Sequence, residues 1–354
     1  MIKRGLIFLL ILFIPKITNA ISAESYVVMD YDTGRILSSK NPEKEKLIAS
    51  TTKIMTAVIA LENGNLESVR KVGEEVLKAY GSAIYLSLEE EIFLKDLLYG
   101  LMLRSGNDAA IEIAYHISGS MEAFVELMNQ KAYELGMSNT KFLNDHGLEE
   151  TDGNGNTSTA KDMAILMRYA LKNETFKEII ATKSYTAKTS GKTYVWKNKN
   201  KLLSTYEYNI GGKTGFTEKA RRTLVTASKK DEKTCIVVTL NDGNDFEDHK
   251  SLCESVFNEY ERVLLVDKES LNIDIENPEK YYIENDLYAL LKEEEKENIK
   301  IEYKMNHTEA KEAGIVEVYL KEELLTQAKI YQKESTTETK ENFFTRFFRW
   351  LFKW

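Results

Sequence analysis

The stretch Ile48-Ala-Ser-Thr-Thr-Lys-Ile-Met-Thr56 opens a segment whose apolar residues recur at helical spacing as far as Leu61. Within it, Ser50 and Lys53 are three residues apart, so their side chains lie one turn apart on the same helix face. A serine hydroxyl becomes a good nucleophile when a neighbouring base takes its proton, and a desolvated lysine can be that base. Backbone N–H groups at the helix start also favour a developing negative charge. The stretch therefore predicts a catalytic serine.

Two further short motifs follow along the chain. Ser105-Gly-Asn107 places a second hydroxyl and a carboxamide at a break between two predicted helices. Lys213-Thr-Gly215 offers a cation and a hydroxyl suited to a substrate carboxylate, and its glycine permits close approach of the backbone. Each motif is weak alone, because Ser-x-x-Lys and Ser-x-Asn also occur elsewhere, beginning at Ser39, Ser68, Ser138, Ser158 and Ser270. Together and in this order, they form the pattern of penicillin-recognising serine enzymes.

Longer stretches around these motifs carry a specific resemblance. The chain resembles the low-molecular-mass penicillin-binding proteins, and specifically the serine-type D-alanyl-D-alanine carboxypeptidases of peptidase family S11. The similar region covers about Tyr26–Tyr260, and its most similar stretches are Ile48–Thr56, Leu101–Ala110, Phe142–Leu148, Ser158–Ala164, Asn198–Leu203 and Gly212–Thr217. The resemblance implies an α+β fold of the penicillin-binding-protein/β-lactamase type. It also implies an enzyme that trims peptidoglycan stem pentapeptides during cell-wall maturation.

The resemblance assigns three residues to the reaction itself. Ser50 would attack the carbonyl of the penultimate D-Ala and form an acyl-enzyme, and Lys53 would be its general base. Ser105 would help pass the proton to the departing D-Ala, after which water would hydrolyse the acyl-enzyme. The family uses no metal or organic cofactor, so none is expected, and β-lactams are expected to be covalent inhibitors.

The resemblance also assigns substrate-binding residues. Asn107 would bind a substrate amide, and Lys213 and Thr214 would hold the terminal carboxylate beside Gly215. The backbone N–H groups of Ser50 and Phe216 would form the oxyanion hole.

One stretch departs from the family pattern. After Lys-Thr-Gly the family usually has Ala-Gly-x-Cys, whereas this chain has Ala220-Arg-Arg-Thr223, which could tune specificity or face solvent.

Three other functions are alternatives to a carboxypeptidase. A β-lactamase of class A would need a Glu-x-x-Leu-Asn stretch, and the sequence has none. A silent wall-binding protein would be expected to lose the motif residues, yet all are present. A transpeptidase differs only in the acyl acceptor, so the sequence separates it poorly from a carboxypeptidase.

Strand and helix patterns support the α+β class. Strands are predicted at 26–30 and 35–38 early in the chain and at 223–228 and 234–240 late in it. Between them lie predicted helices at 94–103, 108–118, 121–135 and 159–171, and another is predicted at 248–263. Early and late strands separated by helices predict one antiparallel sheet, flanked by helices, with a helical insertion.

The chain divides into five predicted regions. Residues 1–20 have the basic, apolar and small-residue order of a secretory signal peptide, too short in its apolar part to span a membrane. Residues 21–265 form the catalytic domain, 266–334 a small β-rich domain, 335–342 a polar linker and 343–354 an amphipathic helix. An uncleaved N-terminal anchor is the alternative to a signal peptide.

The tail Phe343–Trp354 predicts attachment to a membrane surface. On a helical wheel its eight apolar residues form one continuous arc, and Thr345, Arg346, Arg349 and Lys353 fill the remainder. A helix of this length is only ~18 Å long, which is too short to cross a bilayer. We therefore expect an exported enzyme that lies on the outer face of the cytoplasmic membrane, although packing of the tail on the protein itself is the alternative.

Composition excludes several other classes of protein. The 48 basic and 56 acidic residues give a net charge of −8, which disfavours a nucleic-acid binder. Two cysteines and four histidines are too few for a disulfide scaffold, and none has the spacing of a zinc site. In an exported protein Cys235 and Cys253 could pair, or they could simply be core residues.

Overall fold

The computed structural model describes residues 20–275, 277–306 and 312–333. The predicted signal peptide (all but its last residue), the predicted linker and the predicted tail helix lie outside the described residues. Across the ranges that the structure describes, no helix is both long and apolar enough to cross a bilayer.

Eight helices and seventeen strands are numbered in chain order within the described ranges. The helices are α1 (Lys53–Asn63), α2 (Leu94–Tyr99), α3 (Asn107–Ser118), α4 (Met121–Glu134), α5 (Ala160–Ala170), α6 (Glu174–Ala181), α7 (Leu202–Thr205) and α8 (Asp245–Glu259). The strands are β1 (Ser25–Asp30), β2 (Ile36–Lys40), β3 (Lys46–Leu47), β4 (Val69–Lys71), β5 (Glu91–Phe93), β6 (Thr157–Ser158), β7 (Ser184–Lys188), β8 (Thr193–Lys197), β9 (Asn209–Thr217), β10 (Arg221–Lys230), β11 (Lys233–Asp242), β12 (Glu261–Val266), β13 (Tyr281–Tyr282), β14 (Leu287–Leu291), β15 (Ile299–Met305), β16 (Glu312–Leu320) and β17 (Glu323–Gln332).

The central element is a five-stranded antiparallel sheet with the strand order β2-β1-β11-β10-β9. It joins the early hairpin to the late one, because Val27 of β1 pairs with Val238 of β11. All of α1 to α7 lie between β2 and β9 in the chain, so the predicted helical insertion is confirmed. Helix α5 begins as predicted, with Thr159 Oγ1 accepting a hydrogen bond from the Asp162 backbone nitrogen at 3.1 Å.

Successive side chains along each strand point to opposite faces of the sheet, so the sheet contributes to two hydrophobic cores, one on each face. Val225 and Val238 pack on one face with α1 and α5, whereas Leu224 and Val237 pack on the other face with α8. Cys235 and Cys253 belong to the second core as buried free thiols, with their Sγ atoms 3.6 Å apart.

Among the described residues after Glu259, the C-terminal part contains strands and two short 3-10 turns. Strand β12 pairs with β14, and a four-stranded sheet has the order β13-β17-β16-β15. This part meets the first sheet where the Leu290 backbone nitrogen donates to Asp30 Oδ2 at 3.1 Å and Arg262 pairs with Asp32. The predicted α+β class, with a helix-flanked antiparallel sheet and a C-terminal β part, is confirmed.

Candidate active site

The fold brings the three sequence motifs to one end of strand β9. Ser50 lies in a 3-10 turn, Ala49–Thr52, which leads directly into α1. Ser105 follows a π-helical turn, Gly100–Arg104, and its left-handed backbone (φ 64°) ends that helix and starts the next. Lys213 lies in β9, the edge strand, which packs against the turn that carries Ser50.

Ser50 and Lys53 form the first pair. Lys53 Nζ donates to Ser50 Oγ at 3.1 Å, so the one-turn spacing in the sequence brings amine and hydroxyl into contact. The same amine donates to Asn107 Oδ1 at 2.7 Å and to the His146 carbonyl oxygen at 2.6 Å. These two acceptors fix the amine beside the serine.

Lys53 has the electrostatic environment of a base. Its side chain is fully buried, and burial lowers its pKa to about 7, against the opposing attraction of Asp145 and Asp108. A large share of Lys53 is therefore free amine at neutral pH, and this form can accept the proton of the serine. The neighbouring Lys199 lowers the pKa further.

Ser105 and Lys213 form a second pair. Lys213 Nζ donates to Ser105 Oγ at 3.1 Å and to the Thr214 carbonyl oxygen at 2.7 Å. Burial lowers the pKa of Lys213 well below its usual range, and the charges of Lys53 and Lys199 add to this effect. Two lysine–serine contacts thus lie side by side.

Asn107 connects the Ser50–Lys53 pair to the loop that carries Tyr80 and Ser82. Its backbone nitrogen donates to the Ser82 carbonyl oxygen at 2.7 Å, and its Nδ2 donates to the Tyr80 carbonyl oxygen at 2.5 Å. Its Oδ1 accepts from Lys53, so both polar atoms of this buried side chain have a protein partner, while the second N–H of Nδ2 has none among the described residues. In the described structure Asn107 therefore holds Lys53 in position.

Gly215 allows β9 to approach the serine turn. A β carbon at this position would collide with Thr223 Oγ1 and lie 3.0 Å from the Ser50 backbone nitrogen. Only a residue without a side chain lets the backbone around Phe216 pass this close to Ser50. Backbone N–H groups from both chain segments can therefore converge on one substrate oxygen.

A cavity of about 370 Å³ opens over the serine. Five of the eight predicted site residues line it: Ser50, Ser105, Thr214, Gly215 and Phe216. The other three, Lys53, Asn107 and Lys213, are buried behind its wall. The eight residues therefore form one cluster.

Several residues around the cavity were not singled out in the sequence analysis. Lys199 and Ser82 line it, joined by a 3.0 Å hydrogen bond, and Lys201, Asp245 and Phe246 complete its outer wall. Both Lys199 and His146 lie in stretches that carried the family resemblance, and this was the one signal that could have found them. Of the two unusual arginines, Arg222 lines the cavity, while Arg221 is exposed and does not.

The described ranges contain no group of three His, Cys, Asp or Glu side chains placed to hold a metal ion. The chemistry of the cavity rests on hydroxyl, amine and amide groups. Such a set suits nucleophilic attack on a carbonyl and proton transfer.

Comparisons with known proteins agree with this geometry. A family model described as D-alanyl-D-alanine carboxypeptidase matches residues 14–244. D-alanyl-D-alanine carboxypeptidase DacF of Bacillus subtilis is 39% identical over 222 residues, which cover 61% of this chain and 56% of that protein. The chain thus matches little more than half the length of this relative.

Two solved structures are also similar. Penicillin-binding protein 5 from Haemophilus influenzae aligns with a TM-score of 0.72 at 26% identity, covering 88% of this chain and 97% of that chain. A mutant of the Streptomyces K15 DD-transpeptidase aligns with a TM-score of 0.63 at 34% identity, covering 67% and 98%. The family model spans well over half of the sequence and includes all three motifs that meet in the cavity. The chain therefore belongs to the D-alanyl-D-alanine carboxypeptidase family, peptidase family S11.

Proposed function

We propose that this protein is a serine D-alanyl-D-alanine carboxypeptidase that removes the terminal D-Ala from peptidoglycan stem pentapeptides. The single observation that carries the proposal is the 3.1 Å contact between Lys53 Nζ and Ser50 Oγ at the floor of an open cavity. Membership of the family supports the choice of substrate.

In the proposed acylation, Ser50 Oγ attacks the carbonyl carbon of the penultimate D-Ala while its proton moves to Lys53 Nζ. The backbone N–H groups of Ser50 and Phe216 stabilise the negative charge that develops on the carbonyl oxygen. The C–N bond then breaks, and Ser105, in contact with Lys213, relays a proton to the departing amine of D-Ala. Water subsequently attacks the ester on Ser50 and regenerates the free serine.

Substrate recognition is proposed for the residues around this centre. Asn107 binds an amide of the stem peptide, and Lys213 and Thr214 bind the terminal carboxylate. Burial lowers the pKa of Lys213, and the opposite charge of a bound carboxylate raises it again, which favours the cation that holds the carboxylate.

The direct test is incubation of the purified protein with a stem pentapeptide that ends in D-Ala-D-Ala. We expect release of free D-Ala and a tetrapeptide product, and no release from a matched peptide that ends in L-Ala. Absence of D-Ala release at every pH between 5 and 10 would contradict the proposal.

Transpeptidation is the second candidate function, favoured by the similarity to a DD-transpeptidase. It uses the same acyl-enzyme but passes the acyl group to an amine rather than to water. Adding an amine acceptor such as glycine to the assay separates the two activities. A tetrapeptide product that persists in its presence supports the carboxypeptidase, whereas complete conversion to the amide-linked product supports the transpeptidase.

Replacing Lys213 with alanine is expected to act mainly through the substrate carboxylate. A charge-assisted hydrogen bond contributes about 1.5–3 kcal/mol, which corresponds to about one to two orders of magnitude in acylation rate. We expect this loss for a carboxylate-bearing peptide and a much smaller one for an uncharged ester of the same peptide. Product formation is measured in reactions quenched at set times. Equal losses of acylation rate on the two substrates would contradict this role.

We also propose that the enzyme is exported through residues 1–20 and lies on the outer face of the cytoplasmic membrane. The support comes from the sequence of the tail over residues 343–354, which joins a continuous apolar arc to three basic residues. Aromatic rings among acyl chains and cations on anionic headgroups are typical of interfacial helices.

Deletion of residues 341–354 is expected to release active enzyme into the soluble fraction. The apolar arc supplies most of the proposed membrane affinity, which the deletion removes. A control that replaces Arg346, Arg349 and Lys353 with glutamate keeps the arc but should weaken binding to anionic vesicles. If the truncated protein still sediments with membranes after signal cleavage, the tail is not the anchor.

A further inference from the structure

Asp145 is a buried carboxyl group without a hydrogen-bond partner. The side chain is fully buried. In the part of the chain that the structure describes, neither Oδ1 nor Oδ2 accepts a hydrogen bond. Removing a carboxylate from water without compensation is costly, so such a group tends to hold a proton or to face an opposite charge. The proposed reaction gives this carboxyl group no role.

The backbone fixes Asp145 beside the start of α1. Thr56, one turn beyond Lys53, donates through Oγ1 to the Asp145 carbonyl oxygen at 2.6 Å. Lys53 itself donates to the carbonyl oxygen of the next residue, His146, at 2.6 Å. Gly147 packs so closely on Ala49 that a β carbon there would collide with the Ala49 carbonyl oxygen. The loop is therefore tied to α1 and to the nucleophile's turn at Asp145 and at the two residues that follow it.

The charges around the Lys53 amine single out Asp145. Asp145 exerts the largest electrostatic effect on Lys53, ahead of Lys199 beside α7 and Asp108 on α3. His146 is not a competing cation, because burial, assisted by Lys53, lowers its pKa to about 3. On β9, Lys213 is itself disfavoured as a cation by burial and by Lys53.

The two buried groups act on each other in opposite senses. Burial raises the pKa of Asp145 to about 7, and the attraction of Lys53 lowers it. Burial lowers the pKa of Lys53 to about 7, and the attraction of Asp145 raises it. The charge of each group therefore changes the protonation of the other, so the two titrations are linked.

We propose that Asp145 is a positioning residue whose buried carboxyl group, held beside α1 by its backbone, acts on Lys53 through its charge and so sets the pH at which the lysine becomes free to accept the Ser50 proton. When one proton is bound between the two groups, they are either an ammonium and a carboxylate or an amine and a carboxylic acid. The second arrangement supplies the base and leaves neither group charged. The inference rests on the proposed role of Lys53 as general base.

The kinetic test compares the wild type with Asp145→Asn, which keeps the shape of the side chain and removes its charge. Loss of a nearby negative charge lowers the pKa of Lys53, since an opposite charge at close range shifts a pKa by about 1–3 units. We expect the acid limb of kcat/KM for a D-Ala-D-Ala peptide to move to lower pH by about one unit or more. Thr56→Val loosens the same loop without changing a charge, and its acid limb should stay in place. An acid limb of Asp145→Asn that coincides with that of the wild type overturns the inference.

A second measurement needs no activity and therefore separates this inference from the proposed function. A carboxyl group whose pKa is raised on folding stabilises the fold below its unfolded pKa of 3.8, and this contribution is lost as the pH rises to about 7. The difference in Tm, Asp145→Asn minus wild type, should therefore increase from pH 4 to pH 7. Parallel Tm curves over that range, also with Asp145→Ala if the Asn variant does not fold, overturn the inference. Diverging curves in a protein that releases no D-Ala would instead support the raised pKa of Asp145 and contradict the proposed function.

Discussion

Replacing Ser50 with alanine is expected to abolish both D-Ala release and covalent labelling by a fluorescent penicillin, because one hydroxyl attacks both carbonyls. Removal of a nucleophile that works as a unit with its base typically costs more than about 10³-fold in rate. The half-buried hydroxyl gives up a single hydrogen bond to Lys53, so the fold should survive with a similar Tm.

The matched control for this variant is Ser138→Ala. Ser138 also begins a Ser-x-x-Lys stretch, but its side chain is exposed and lies outside the cavity. The Ser138→Ala variant should be labelled by penicillin and should release D-Ala at the same rates as the wild type. Labelling of Ser50→Ala at the wild-type rate would show that another residue is the nucleophile.

Replacing Lys53 with methionine is expected to slow acylation by about 10²–10⁴-fold, the usual contribution of a general base. Methionine keeps much of the apolar length of the lysine, although Asn107 and the His146 carbonyl group lose a donor. Rapid-quench measurement of penicilloyl-enzyme formation isolates this step from deacylation.

The pH dependence of the wild type checks the same role. Because burial lowers the pKa of Lys53 to about 7, kcat/KM should rise as the pH increases through neutrality and the amine loses its proton. The methionine variant should lack this rise. A rate that is unchanged in Lys53→Met, in protein shown to be folded by circular dichroism, would contradict the assignment of the base.

The sequence patterns predicted most of the local structure around the site. The predicted helix at 108–118 is observed as α3 (Asn107–Ser118), and the strand at 234–240 is extended to Lys233–Asp242. These elements have long, regular apolar patterns that local spacing reveals.

Two predicted helices differ because tertiary contacts override the local pattern. The helix predicted at 248–263 ends at Glu259, since β12 (Glu261–Val266) pairs with β14 far along the chain. The helix predicted at 94–103 changes into a π-helical turn at Gly100, which ends in the left-handed Ser105. Pairing and packing of this kind have no signature in a short sequence window.

The candidate site, too, could be predicted from the sequence only in part. The ordered motifs predicted that Ser50, Ser105 and Lys213 would come together, and the structure brings them together, although their chemical roles stay predictions. Asp145 could not be found in this way, because a polar residue in an irregular segment is ordinarily solvated. Its burial near Lys53 exists only in the folded protein, where the loop that carries it is hydrogen-bonded to α1.

The measurement that tests the central claim most directly is mass spectrometry of the intact and digested protein after brief exposure to benzylpenicillin. We expect one penicilloyl group per chain on the peptide that contains Ser50, and we expect it to persist, because the sequence lacks the Glu-x-x-Leu-Asn stretch that activates water in class A β-lactamases. Ser50→Ala should carry no adduct. An adduct on another serine, no adduct at all, or rapid conversion of the drug to free penicilloate would contradict the assignment of this chain as a penicillin-sensitive carboxypeptidase with Ser50 as its nucleophile.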